Sequence, residues 1–426
     1  MVGVSSKALH ESSPLESNRT VPTPSSVHLG ALAIGFAFAI PVRIGGRISA
    51  GEILAILGCL NIARHIGGLR LFRGFDTRNF AWLLLALTPW ASFLTTLRIS
   101  RDFLELAVPG ILIGLSLAFL LPLLNSRAAL ASFVIGLGIG QLAFVFIAPL
   151  PAVSQNLWKF GFGLPAFLIV VALSEFVRGK FLYFGLGLIT LISAATSTRL
   201  IMALAVGVGL YSAMPMRAIK QGVARSSRVW TVVIALAVAV AGVLAYDYLA
   251  SSGALGEVQR DRYLTQSQGK FWLLGGARPD FLIAFDHLQA SPFRGYGAEP
   301  SLAVNYDPRV ALEAYGYAGL NLPSDLIVSR QLSGHSLALD AWIKGGLLAA
   351  IPFVYLVVAN SSSLMKLASL RHVRSPLLFA LLTAAAWDLL FSPFNMERRS
   401  FIVAAVIAGG VVSEMVWAQR RGLFRP

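Results

Sequence analysis

Residues 102–150 read DFLELAVPGILIGLSLAFLLPLLNSRAALASFVIGLGIGQLAFVFIAPL, two apolar runs joined by the short polar stretch NSR at 125–127. Each run is long enough to cross a bilayer as a helix, which takes roughly 20 mostly apolar residues. Two such runs in succession, with one arginine between them, describe a membrane-spanning helical hairpin. The whole chain has the same character. Of its 426 residues 56% are hydrophobic and 13% charged, and that charged share is about half that of an ordinary soluble domain. Lipid is the solvent that this composition requires.

Applied outward from the hairpin, the length rule places about twelve helices in an all-α membrane protein. They fall near 28–42, 49–66, 79–97, 102–124, 128–150, 159–177, 181–197, 199–216, 229–250, 335–359, 375–392 and 400–419. The division is then a tail at 1–27, helices one to nine at 28–250, a long loop at 251–334 and the last three helices with a short tail at 335–426. The tail is rich in Ser and Pro and reads as disordered. Its apolar run begins only near Leu29, later than a secretory signal would have it, so a retained first helix is expected.

The net charge of +15 would suit nucleic acid if it lay on one face of a soluble domain. Instead the basic residues fall in short segments between apolar runs, and no nucleic-acid partner is expected. Their distribution sets an orientation. With the amino terminus inside, the inner segments collect Arg64, Arg70, Arg73 and Arg78, then Arg127, then Arg217, Lys220, Arg225 and Arg228, among others. The outer loops keep fewer, including Arg43, Arg47, Arg98 and Arg101. The positive-inside rule therefore puts both termini in the cytoplasm and the loop 251–334 outside. Cys59, the single cysteine, lies in an apolar run and makes no intrachain disulfide.

Within the long loop, Arg278, Pro279 and Asp280 open a helix, with proline at the first position and an acid near the positive end of the dipole. Phe281, Leu282, Phe285 and Leu288 supply an apolar face, Pro292 stops the helix, and FRGYG (293–297) turns the chain. The apolar stretch FWLLGG (271–276) suits the membrane surface. Residues 300–334, with Pro308, Pro323 and several glycines, read as irregular and suited to cap a cavity.

Chemistry is sought in charges that lipid should have excluded. Arg199, in SAATSTRLIMAL, stands between two apolar helices. An arginine there either snorkels to the interface or serves a function. Taken alone, Arg278 reads first as a solvated loop charge, and His335, in SGHSLALDAWIKGG, first as a capping or interfacial residue. Asp340 and Lys344 are four residues apart with the acid first, the favourable order for an intrahelical ion pair. Two arginines and a histidine on one face suit a diphosphate leaving group displaced by an alcohol. Guanidinium forks hold phosphate oxygens, and a histidine of near-neutral pKa takes the proton of the attacking hydroxyl. HExxH, Cys/His clusters and paired acids with ligand spacing are all missing from the sequence, so no metal or other cofactor is assigned. There is no P-loop, so the energy comes from an activated substrate.

On these residues the sequence resembles the O-antigen ligase and polysaccharide polymerase superfamily of bacterial membrane glycosyltransferases. TSTRLIMAL is similar to the family's serine–arginine signature at an outer helix end, with Thr198 inserted after Ser197. RPDFLIAFDHLQASPFRGYG resembles its arginine-led amphipathic segment at Arg278, Pro292, Gly295 and Gly297. GHSLALDAWIKGGLLA resembles its histidine-led helix at His335, Leu339 and Gly346. Ser336 replaces the family's usual Asn, Lys344 stands where Glu is common, and Ala349 replaces a glycine. The resemblance covers residues 180–355, and the helix count and loop position extend it over the chain. It implies a GT-C-like fold and metal-independent transfer from an undecaprenyl-diphosphate-linked glycan at the periplasmic face of the inner membrane. The acceptor would be lipid A–core in a ligase and a growing glycan in a polymerase. By carry-over, Arg199 and Arg278 hold the diphosphate, and His335 activates the acceptor or positions the leaving group. A transporter or flippase for a lipid-linked or anionic substrate is the alternative.

Overall fold

The computed structural model describes residues 24–43, 47–66, 75–97, 101–147, 156–177, 180–196, 198–213, 247–254, 256–270, 279–300, 302, 306–317, 332, 336–370, 375–391 and 396–420. These are almost entirely helical. Helix α1 (Pro24–Ala39) leads into a short hairpin, β1 (Pro41–Arg43) and β2 (Arg47–Ser49). Next come α2 (Ala50–Ile66), α3 (Phe75–Thr96), α4 (Arg101–Leu120) and α5 (Arg127–Ile147). A π-helical turn (Trp158–Phe162) leads into α6 (Gly163–Leu173), then α7 (Phe181–Ala195) and α8 (Arg199–Ala213). The loop region contains α9 (Glu257–Gln266), α10 (Pro279–Ala290) and α11 (Pro308–Ala314), and the chain returns to apolar helices in α12 (Leu337–Ser369), α13 (Pro376–Phe391) and α14 (Met396–Arg420).

Among the described residues four stretches are long and apolar enough to cross a membrane: Phe103–Leu120, Arg127–Ile147, Leu337–Ser369 and Arg399–Gln419. Seven shorter apolar helices stand beside them, so the chain is an all-α, multi-pass membrane protein. The expected helix at 229–250 lies outside the described residues except for its helical end at 247–250. Three expectations need correction. A small β-hairpin interrupts the all-α pattern, with Arg43 and Arg47 paired in its register. Residues 300–334 are not irregular throughout, because Asp307 caps a two-turn helix, accepting from the Arg309 N–H at 2.9 Å with Pro308 in its first turn. Pro308 starts a helix here instead of breaking one. On α10, Leu282 and Leu288 are buried as expected but Phe285 is exposed, and Asp280, Ile283, Ala284 and His287 complete the buried face.

Small residues let the first layers close up. Gly35 on α1 lies against the Phe133 carbonyl of α5, and Gly136 on α5 lies against the Leu32 carbonyl of α1. Lipid gives helices no hydrophobic reason to associate, so close backbone approach through small residues is what holds such a pair. At one end of the bundle, the Arg399 side chain forks onto Glu52, Nε to Oε1 at 2.8 Å and Nη2 to Oε2 at 3.1 Å. Glu52 also closes a capping box with Ser49 at the start of α2. Its Oε2 accepts the Ser49 N–H at 2.7 Å, and the Ser49 hydroxyl accepts the Glu52 N–H at 3.1 Å. At the other end, Glu175 receives the Ser375 hydroxyl and pairs with Arg127 at 3.5 Å.

Gly136→Ala places a methyl group inside the Leu32 carbonyl and forces α1 from α5. The expected loss is about 1–3 kcal/mol, the usual cost of overpacking, read as lowered thermal stability of the detergent-solubilised protein. An unchanged melting curve would refute the close packing.

Candidate functional site: one end of the bundle

The site is built around a break in α12. Gly346 sits at φ 69° and ψ −169°, inside an otherwise continuous run of helix. Such a dihedral pair is accessible to glycine and strained for any residue with a Cβ. The break frees the carbonyls of Ile343 and Lys344, which Leu347 and Leu348 would engage in an unbroken helix. The loop turn 293–297 supplies the replacements. Tyr296 N–H donates to the Ile343 carbonyl at 2.7 Å, and Gly297 N–H to the Lys344 carbonyl at 3.0 Å. Gly295, at φ 71°, packs so closely on this step that a Cβ would strike the Gly346 amide and the Ile343 and Lys344 carbonyls. Trp342 Nε1 donates to the Pro292 carbonyl at 2.6 Å, and the Thr95 hydroxyl at the end of α3 donates to the Arg294 carbonyl at 2.8 Å. Three glycines singled out in the sequence, Gly295, Gly297 and Gly346, thus belong to one contact.

The clamp joins α10 to α12. Leu282, Ile283 and Leu288 of α10 share an apolar cluster with Leu339 and Ile343 of α12 and with Leu312 and Tyr317. Ser336 caps α12. Its hydroxyl accepts the Leu339 N–H at 3.2 Å and donates to the Leu389 carbonyl near the end of α13 at 2.9 Å. Serine at the departure from the family's Asn therefore still does an N-cap's work.

Arg278 and His335 lie outside the described residues. The residue after each is placed: Pro279 opens α10, and Ser336 caps α12. Arg199 is the first residue of α8. The turn before it is held by the Thr198 N–H on the Ser193 carbonyl (2.8 Å) and by Asn156 Nδ2 on the Thr196 carbonyl (3.2 Å). Tyr211, toward the other end of α8, stacks on Phe379 in the first turn of α13, with ring centroids 4.3 Å apart. Since α13 ends beside Ser336, the start of α8 lies at the same end of the bundle as the start of α12. Arg199 and the described residues Pro279 and Ser336 thus stand at helix beginnings, where the dipole and unpaired N–H groups favour an anion.

The expected ion pair is corrected. Among the described residues no salt bridge links Asp340 to Lys344. Asp340 is 4% exposed and engaged in another contact, while the break at Gly346 gives the Lys344 carbonyl to Gly297. Asp280 and Asp388 are buried and engaged as well. Sequence reasoning passed over Asp388, although a lone acid in the apolar run AAAWDLLF carries the same signal as Arg199. Among the described residues no three His, Cys, Asp or Glu side chains are grouped to hold a metal.

His287 was also missed. It sits four residues after Ile283 on the buried face of α10, and its Nδ1 is buried with no hydrogen-bond partner among the described residues. Its ring meets Tyr306 edge-on at 4.3 Å, and its carbonyl accepts the Tyr296 hydroxyl at 2.6 Å. Burial holds the His287 pKa below the ordinary histidine value, partly offset by Asp286. Burial, together with a hydrogen bond to Asp286 at 2.8 Å, raises Tyr306 well above the tyrosine range.

Comparison with known proteins finds no family model that matches this chain and no significant match to a curated protein.

Gly346→Ala introduces both a strained φ, costing about 1–2 kcal/mol, and an overlap with the Phe293 carbonyl. Hydrogen exchange should show lost protection at the amides of Tyr296 and Gly297, with α5 unaffected; retained protection there would refute the clamp. For His287 the folded-state pKa lies below the unfolded one, so its neutral form contributes fully above about pH 6.5. That contribution is lost as pH falls through the folded value, because the unfolded chain then binds the extra proton. Melting should therefore fall between pH 7.5 and pH 5, and less steeply in His287→Phe. Equal slopes would exclude His287 as a source.

Proposed function

We propose that this protein is a glycosyltransferase of the bacterial inner membrane, with about twelve transmembrane helices in a GT-C-like arrangement, both termini cytoplasmic and its active site on the periplasmic face. The donor is a glycan on undecaprenyl diphosphate. The acceptor is lipid A–core, as in an O-antigen ligase, or a growing glycan, as in a polymerase. One observation carries the reading: the turn at 293–297, locked onto the break at Gly346, makes one unit of the helices that begin just after Arg278 and His335.

In this reaction the acceptor hydroxyl attacks the anomeric carbon of the donor sugar. A new glycosidic C–O bond forms, the bond to diphosphate breaks, and undecaprenyl diphosphate leaves. His335 takes the hydroxyl proton. Arg199 and Arg278 neutralise the charge developing on the diphosphate, where a planar guanidinium engages two oxygens at once. The clamp's role is positional, since transfer rates depend steeply on the alignment of nucleophile and leaving group.

A second reading has an observation of its own. A helix broken inside an apolar run is a recurrent feature of transporters, whose substrates bind at such breaks. Against it, the freed carbonyls at Gly346 are taken by the loop rather than left for a substrate.

The test is transfer from an undecaprenyl-diphosphate oligosaccharide by the purified protein, with and without lipid A–core. His335→Ala should lower the rate by about 10²- to 10⁴-fold, the typical worth of a positioned general base, without altering folding. Arg278→Ala should also fail, and Arg278→Lys should rescue poorly because a point charge lacks the fork. Normal transfer by either alanine variant would overturn the assignment. Movement of the lipid-linked glycan across a proteoliposome membrane with no transfer would establish the transporter.

A further inference from the structure

The end of the bundle away from the clamp holds a second feature. Three of the spanning stretches meet there: Phe103–Leu120 ends, Arg127–Ile147 begins and Arg399–Gln419 ends. Between the α4–α5 connection and the last turns of α14 lies a cleft of about 290 Å³, lined by Asn125, Ser126, Arg127, Glu414, Met415 and Trp417 among others. Because these helices cross the membrane, the cleft lies where the bilayer meets water.

Its walls differ in charge. Arg127, on the α5 side, has a side chain 39% exposed and spends one guanidinium nitrogen on Glu175 at 3.5 Å. A guanidinium carries five N–H donors, so others remain for the cleft. On the α14 side, Glu414 is exposed and has no partner among the described residues. Trp417, 47% exposed, stands one turn further along the same helix. Tryptophan favours this depth because its ring is amphipathic and its N–H reaches the headgroup layer. Leu123, 41% exposed, precedes the cleft residue Asn125 by two positions and offers apolar surface next to it in the chain.

We infer that this cleft binds the headgroup of a phosphatidylethanolamine lipid, with its phosphate on Arg127 and its ammonium on Glu414. A zwitterion with a phosphodiester and a primary amine fits the two walls. A choline headgroup has no N–H to donate to the carboxylate, and a glycerol headgroup has no positive charge. A volume just under that of ordinary small-ligand pockets, ~300 Å³ and above, takes a headgroup and leaves the acyl chains outside along Leu123. The site is independent of the transfer reaction proposed for the other end.

The experiment is native mass spectrometry of the full-length protein in detergent, titrated separately with phosphatidylethanolamine, phosphatidylcholine and phosphatidylglycerol. The wild type should retain phosphatidylethanolamine in preference to both others. Glu414→Gln should reduce that preference by up to about fivefold, the worth of one exposed ion pair, with unchanged melting. Glu414→Lys should reverse the order toward phosphatidylglycerol. Equal retention of the three lipids by the wild type, or an undiminished preference in both variants, would overturn the inference. So would displacement of the lipid by free phosphoethanolamine at equal concentration, which would mark a site for a soluble anion.

Discussion

Lipid gives a peptide group nothing to bond to, and the break at Gly346 is possible only because another part of the chain answers it. Two carbonyls leave the ladder of α12 and are met by the N–H groups of Tyr296 and Gly297. An unpaired pair in hydrocarbon would cost several kcal/mol. The turn at 293–297 is thus part of the transmembrane helix's own hydrogen bonding, and the loop that carries it is anchored by necessity. The packing of α10 on α12, the approach of Trp342 to Pro292 and the reach of α3 through Thr95 all depend on this contact.

The same end of the bundle concentrates charge that lipid would otherwise refuse. Glu52 and Arg399 neutralise one another in a two-pronged contact, and Glu52 serves the start of α2 as well. A buried pair of this kind adds little net stability compared with apolar packing, yet removing one partner strands the other. Asp280, Asp340 and Asp388 are buried at the starts of α10 and α12 and near the end of α13. Buried acids thus gather around the elements that the loop ties down, while the far end carries the Arg127–Glu175 pair and the cleft beside it.

Much of this could be read from the chain. The apolar runs located the helices because a bilayer demands a length and a composition. Pro279 and Asp280 located the start of α10 because a helix end has known electrical and steric needs. Other features were not legible. Pro308 has the look of a breaker, since nothing nearby in sequence distinguishes a proline that starts a helix from one that ends it; Asp307 decides that by its cap. Phe285 has the spacing of a buried residue and is exposed, because an amphipathic stripe shows its period but not which flank meets a partner. Asp340 and Lys344 have the spacing of an ion pair, yet Asp340 is drawn into the interior.

Composition and local pattern were therefore enough to specify a multi-pass helical protein, some of its helix beginnings and a list of chemically unusual residues, because those come from short-range rules and from the solvent. The partner of a freed carbonyl depends on segments far apart in the chain, as between Gly297 and Lys344. The same holds for the buried fork between Glu52 and Arg399 and for the cleft between Arg127 and Glu414. Such contacts are set by how helices cross and how closely glycine lets them approach, and no periodicity along the chain records that.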